Sequence, residues 1–257
     1  MEERVTAAEE ARFGEALSRV ITMEQERDGI GRLSEKKLHL TLKYYFQPDG
    51  EFHEQEIGRH VADAVTVDGI VEVQTAGYGR LKDKLSAWSP LVPVTVVCPI
   101  PHRKALVWID PETGALVRES KSPKRGNWFD AFWELTHIRS HLCMPNVTFL
   151  LCLLDVREYR TLNAKGGTRH SSRRERVPTA LCGFYALRSK ADFIALLPAE
   201  LPSPFTVKDL SRLIGRNEER TRAVLYVLEG VGAVLRAGKD GNRILYRIPE
   251  DEKTEEE

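Results

Sequence analysis

An α/β protein with a mixed sheet, followed by a small C-terminal unit of helices and a hairpin, is what the sequence predicts, on three observations. Short β-branched runs alternate with amphipathic helical runs between residues 31 and 156. A polar stretch dense in Arg and Lys then breaks that alternation over residues 157–176. Beyond it, residues 189–249 read as helix, helix, helix and hairpin.

Taken in order, residues 6–25 predict a helix with Phe13, Leu17, Val20 and Ile21 at helical spacing, an accessory element occupying residues 1–30. The second helix begins near Ser34, which can cap it, and stops at the turn signal Pro48-Asp49-Gly50. EFHEQEIG, HVADAVTV and IVEVQT read as short strands, the last two joined by Asp68-Gly69, a preferred pair for a two-residue hairpin turn. RLKDKLSAW is then helical, LVPVTVVCPI is a buried strand, and KALVWID with ALVRES forms a hairpin around PETG. NWFDAFWELTHIRSHL predicts an aromatic-rich helix and VTFLLCLLDVREY a further buried strand, closing a mixed α/β domain over residues 31–156. Residues 157–188 are expected to be a basic linker with a connecting strand, TALCGFYAL.

The order over 189–249 is that of a winged helix. Leu210, Leu213, Ile214, Val224, Leu225, Val227 and Leu228 supply its core, and Gly238 with Asp240-Gly241 supplies the wing turn. The acidic residues 250–257 are expected to be a disordered tail.

Composition excludes several classes. The chain of 257 residues balances 38 Lys and Arg against 38 Asp and Glu, so any attraction to nucleic acid must come from local clustering. The four cysteines, Cys98, Cys143, Cys152 and Cys182, form no CxxC pair, which argues against structural zinc. No run is long and apolar enough to span a membrane, and the N-terminus is charged rather than signal-like, so a cytoplasmic protein without a membrane partner is expected. Trp88, Trp108, Trp128 and Trp133 are assigned to the core.

Chemistry concentrates in the hairpin VADAVTV-DG-IVEVQT. With Asp68-Gly69 as its turn, Val67 pairs with Ile70, Val65 with Glu72 and Asp63 with Gln74, so Asp63, Glu72 and Gln74 project from one face. The diagonal between the acidic residues is about 7–8 Å, short enough for both carboxylates to reach one hard cation. Glu72 stands between Val71 and Val73, where burying an unpaired carboxylate costs several kcal/mol. A bound cation removes that cost.

These residues resemble the signature of the PD-(D/E)XK nuclease superfamily, an Asp on one strand followed across a hairpin by (D/E)-x-K. Asp63 matches the Asp, and Glu72-Val73-Gln74 matches the second element. Ala62 stands where Pro is common, and Gln74 stands where Lys is usual, as in the E-x-Q variants of some restriction enzymes and CoiA-like competence nucleases. The superfamily's acidic residue on the preceding helix is matched by Glu35. The resemblance spans residues 33–100 and implies a restriction-endonuclease-like core hydrolysing DNA phosphodiester bonds with Mg²⁺ or Mn²⁺. It implies metal held by Asp63, Glu72 and the Val73 carbonyl, with Glu35, Asp63, Glu72 and Gln74 as the catalytic set. An amide cannot replace the charge of an ammonium, so Lys82 or Lys84 on the next helix is expected to supply it. The alternative is a nuclease-fold DNA-binding or adaptor protein that has lost turnover.

Substrate contacts are assigned to Lys82 and Lys84, to a basic arm containing Arg157, Arg160, Lys165, Arg169, Arg173, Arg174 and Arg176, and to Arg216, Arg220 and Arg222 around the third helix of the winged helix. The sequence does not separate DNA from RNA as partner, nor does it fix the oligomeric state. A homodimer is among the assemblies it allows.

Overall fold

The structure is a computed structural model that describes residues 5–26, 37–162 and 172–249. Ser34, Glu35, Lys165, Arg169 and the acidic tail lie outside the described residues, as do the side chains of Arg173 and Arg174.

A mixed sheet, seven-stranded among the described residues, organises the fold. Strands β1 (His53–Ile57), β2 (His60–Thr66) and β3 (Gly69–Val73) form an antiparallel meander, and β3 lies parallel to β4 (Val94–Ile109). β4 pairs in parallel with β6 (Val147–Thr161), and β7 (Ser172–Leu187) returns antiparallel along β6, while β5 (Leu116–Lys121) pairs with the far half of β4. The continuous apolar runs in the first halves of β4 and β6 suit parallel strands covered on both faces.

Helices α1 (Ala7–Glu26) and α2 (Lys37–Phe46) cover one face, burying Phe13, Val20, Leu38, Leu42 and Tyr45 against Val71, Val97, Cys152 and Phe184. The other face carries α3 (Lys82–Trp88), the short helix α4 (Phe132–Leu135) and the C-terminal unit. There Leu85, Trp88, Phe132, Leu135 and Ile138 meet Val96, Cys98 and Leu151 in one apolar cluster.

The C-terminal unit comprises α5 (Lys190–Ala195), α6 (Val207–Ile214), α7 (Glu218–Gly230), β8 (Leu235–Asp240) and β9 (Arg243–Arg247). Thr206 and Asp209 form a capping box at the start of α6, Gly215 ends it with φ 64°, and Asn217 caps α7. Leu210, Ile214, Val224, Leu225, Val227 and Leu228 are buried, Leu213 half-buried. This core is continuous with the cluster under the sheet. The hairpin turns at Gly241-Asn242, because Asp240 already pairs with Arg243. Among the described residues no helix is long and apolar enough to cross a membrane.

Several expected elements are corrected. LVPVTVVCPI and KALVWID belong to one 16-residue strand, β4, with an irregularity between Pro101 and Lys104. Among the described residues of the expected basic linker, Arg157 and Arg160 continue β6, and Arg173, Arg174 and Arg176 lie on β7. Pairing of the two strands sets Glu158 opposite Arg176, and its carboxylate, wholly buried, accepts from both Arg160 and Arg176. Mutual neutralisation on the ladder lets a charge-dense segment stay extended. NWFDAFWELTHIRSHL is not one helix but a 3₁₀ turn over Trp128–Ala131, α4, and a second 3₁₀ segment over Thr136–His141. Its buried residues are Ala131, Phe132, Leu135, Ile138 and Leu142, and the helical run is broken at Ile138, whose φ of −125° and ψ of 18° are not helical. Trp88 and Trp108 are buried and Trp128 packs against the core, but Trp133 is 39% exposed.

Candidate functional site

The hairpin register differs from the expected one. Thr66 pairs with Gly69, Val65 with Ile70 and Ala64 with Val71, so the turn is Val67-Asp68 rather than Asp68-Gly69. Thr66 closes it, its hydroxyl donating to the Gly69 carbonyl at 3.0 Å and accepting from the Asp68 N–H at 3.2 Å. Gly69 answers to a different constraint, because its φ is 123° and a Cβ there would lie 2.2 Å from the Pro93 carbonyl oxygen. The shift brings Asp63 opposite Glu72 instead of Gln74.

Regular pairing of β2 with β3 stops at Ala64 and Val71, and side chains take over the next rung. The Asp63 N–H donates to Glu72 Oε1 at 3.3 Å, and the Val73 N–H donates to Asp63 Oδ2 at 2.8 Å. Each acidic residue therefore helps hold the strand that carries the other. The carboxylates do not project together from one face as expected. Asp63 Oδ2 lies 2.9 Å from His39 Nε2 on α2, whereas both Glu72 oxygens accept from Lys84 Nζ on α3, at 2.8 and 3.0 Å. Those helices cover opposite faces of the sheet, and the two acids meet across the opened ladder between them.

Lys84 is positioned by its surroundings: Nζ also donates to the Val61 carbonyl at 2.7 Å and lies 5.3 Å from the Trp88 ring centroid. Trp88 is fixed in turn by an indole hydrogen bond to the Ile57 carbonyl. Lys82, two residues earlier, is exposed beside His141 and does not reach the pair.

Electrostatics divide the two acids. Burial pushes the Glu72 carboxyl up to about 7, the Asp63 charge adds to the rise, and Lys84 only partly offsets it. Burial also opposes ionisation of Asp63. There it is outweighed by the hydrogen bond and charge of His39, the Val73 N–H and the charge of Lys43, which together hold Asp63 below its ordinary value. Asp63 thus ionises first, and its charge keeps the Glu72 proton in place.

Gln74 is not drawn into this group: its side-chain amide turns back onto the Ala76 carbonyl at the rim. Sequence reasoning missed His39 and Lys43. His39 falls four residues after Glu35, on the same side of a helix, a spacing that could have flagged it. Lys43 is buried and paired with Glu54, and no sequence pattern distinguishes it from a surface lysine of α2. Among the assigned substrate contacts that are described, Arg176 is bonded to Glu158, Arg216 to Asp130 through two nitrogens, and Arg222 to Glu218, while Arg220 stacks over Trp133.

A mixed-sheet α/β protein with a buried Glu72 and a half-buried Asp63 at an opened strand junction, attended by a lysine, is the class that fold and site define. The chain belongs to the family described as Domain of unknown function (DUF8091), whose model matches residues 36–188. That span runs from the start of α2 to the end of β7 and includes His39, Asp63, Glu72 and Lys84. A Treponema pallidum (strain Nichols) protein described as "Uncharacterized protein" is 30% identical over 221 residues, which cover 85% of this chain and 87% of the relative. No solved structure matches the chain.

Proposed function

We propose that this protein is a metal-dependent nuclease of the PD-(D/E)XK kind, in which Lys84 supplies the positive charge that Gln74 lacks. The observation that carries the proposal is the placement of Lys84 Nζ within hydrogen-bond distance of both Glu72 oxygens. Further support comes from the hairpin that sets Asp63 against Glu72, with one helix before it and another after it. Hard oxygen donors suit Mg²⁺ or Mn²⁺, and a buried and a half-buried acid that resist joint ionisation are a donor set that a divalent cation would relieve. Among the described residues no third acidic, His or Cys side chain joins them as a ligand set, so the remaining donors would be the Val73 carbonyl and water. When bound, the ion would polarise a phosphodiester and lower the pKa of its water.

The chain's own groups then divide the work. Asp63 and Glu72 would hold the ion, His39 would orient Asp63, and Lys84 would neutralise charge developing on the phosphate. On this reading the C-terminal unit is a winged helix that assists substrate binding, and DNA is the substrate.

Incubation with supercoiled plasmid and Mn²⁺ tests the proposal. The wild type is expected to nick the plasmid, and the Asp63→Ala/Glu72→Ala double variant is expected to leave it intact. Equal cleavage by both proteins overturns it. The outward turn of Gln74 favours a second reading, a DNA-binding protein without turnover, which in this assay retards plasmid and leaves it uncut.

A further inference from the structure

Where β4 runs on past the end of β3, two adjoining cavities of about 650 and about 410 Å³ share Lys104 and Arg125. The larger is walled by β4, the 124–126 loop, β7 and the start of α7. Of its cations, Arg176 and Arg216 are matched by Glu158 and Asp130. Lys104, Lys124, Arg125 and Arg220 have no carboxylate in ion-pair contact among the described residues. Arg103 and Lys121 carry the basic lining on into the smaller cavity. In a chain whose charges balance overall, this is a marked local excess.

Lys104 registers the crowding. It is half-buried, and burial together with the charges of Arg176, Arg160 and Lys124 holds its ammonium below the usual lysine range despite Glu158. A phosphate anion placed among these groups would relieve that repulsion. One small anion fills only one cavity, whereas the positive lining continues through both, as a chain of phosphates requires.

We infer that this trough binds the phosphodiester backbone of nucleic acid. Its distance from the acidic pair follows from the sheet register. Glu72 lies level with Val96 and Phe149, while Lys104 lies level with Val156, seven residues further along β6. At about 3.3 Å per residue the separation is roughly 23 Å. At 3.4 Å per base pair that is about seven base pairs of duplex. If the nuclease reading holds, on which this corollary alone rests, the trough anchors substrate about seven base pairs (~23 Å) from the point of cleavage.

The test is fluorescence anisotropy with a labelled mixed-sequence duplex, in the absence of metal, over a series of salt concentrations. Three proteins are compared with the wild type: Lys104→Ala/Lys124→Ala/Arg125→Ala, the charge-matched control Arg80→Ala/Arg188→Ala/Lys190→Ala, and Asp63→Ala/Glu72→Ala. The trough variant is expected to lose affinity about ten-fold or more, with the slope of log K against log salt falling by about 2–3. The control is expected to bind as the wild type does and the acidic-pair variant at least as tightly, since it loses carboxylates that repel phosphate, with thermal unfolding checking that each is folded. Unchanged duplex affinity and slope in the trough variant overturn the inference. It is also overturned if calorimetry finds inorganic tripolyphosphate bound by the wild type and not by the trough variant, while both proteins bind duplex equally, since the site would then take a small polyphosphate. Trough-dependent binding without any cleavage supports the inference and refutes the nuclease reading separately.

Discussion

Replacing Glu72 by Gln isolates the energetic cost of the acidic pair. The carboxyl is 2% exposed, and its pKa is raised from an ordinary 4.5 to about 7 by burial first and by Asp63 second. A folded-state value above the unfolded one means that the native chain holds a proton the unfolded chain has released. The stabilisation from this group is therefore complete below about pH 4.5 and is lost as pH rises to about 7. At ~1.4 kcal/mol per pH unit, the loss amounts to about 3 kcal/mol. Glu72→Gln keeps the shape and removes the titration. In metal-free buffer with a chelator, urea unfolding is expected to find wild type and variant alike near pH 4.5, with the variant more stable by about 3 kcal/mol above pH 7. On the proposed reading Mn²⁺ would bind the ionised form, so its addition is expected to restore wild-type stability at pH 8 and to do little for the variant. Parallel stability profiles for the two proteins between pH 5 and pH 8 would refute the reasoning, because Glu72 would then titrate as an ordinary surface acid.

Three further outcomes are expected. Lys84→Met lowers plasmid cleavage about 100-fold and Lys84→Arg retains part of the rate; cleavage by Lys84→Met at the wild-type rate would remove Lys84 from the mechanism. Leu85→Ala, at a wholly buried site beneath the sheet, costs about 2–5 kcal/mol in denaturant unfolding. Gly69→Ala costs about 2–4 kcal/mol by the same measurement, since the new methyl meets the Pro93 carbonyl at a φ that side chains seldom adopt.

Periodicity made most of the secondary structure legible in the sequence. The helices of the C-terminal unit, α3, and the strands of the meander lie within a few residues of where the apolar spacing and turn signals set them. What failed depended on contacts distant in the chain. Asp68-Gly69 has the composition of a hairpin turn, but Gly69 is required by the approach of Pro93, and the turn forms one residue earlier. The arginines of β6 and β7 read as linker because nothing local reveals that Glu158 will be buried between two of them. Trp133 reads as core, yet Arg220 of α7 stacks on its exposed ring. Asp63 and Glu72 were legible as neighbours because adjacent strands of a hairpin are local. Their attachment to different helices was not, since it depends on which face each helix covers.

The rung in which side chains stand in for main chain has a consequence for comparing relatives. The Val73 amide needs an acceptor whether or not any phosphodiester is ever cut, and Asp63 provides it. A family member with no catalytic activity would still be under structural pressure to keep Asp or Asn at this position, so its persistence says little about activity. Position 84 is more informative. Its side chain binds a carboxylate that costs stability unless something is gained from it, and a lineage free of that need can improve its fold by discarding the acid at 72 and the lysine together. Joint retention of those two residues is the signature to seek among homologues.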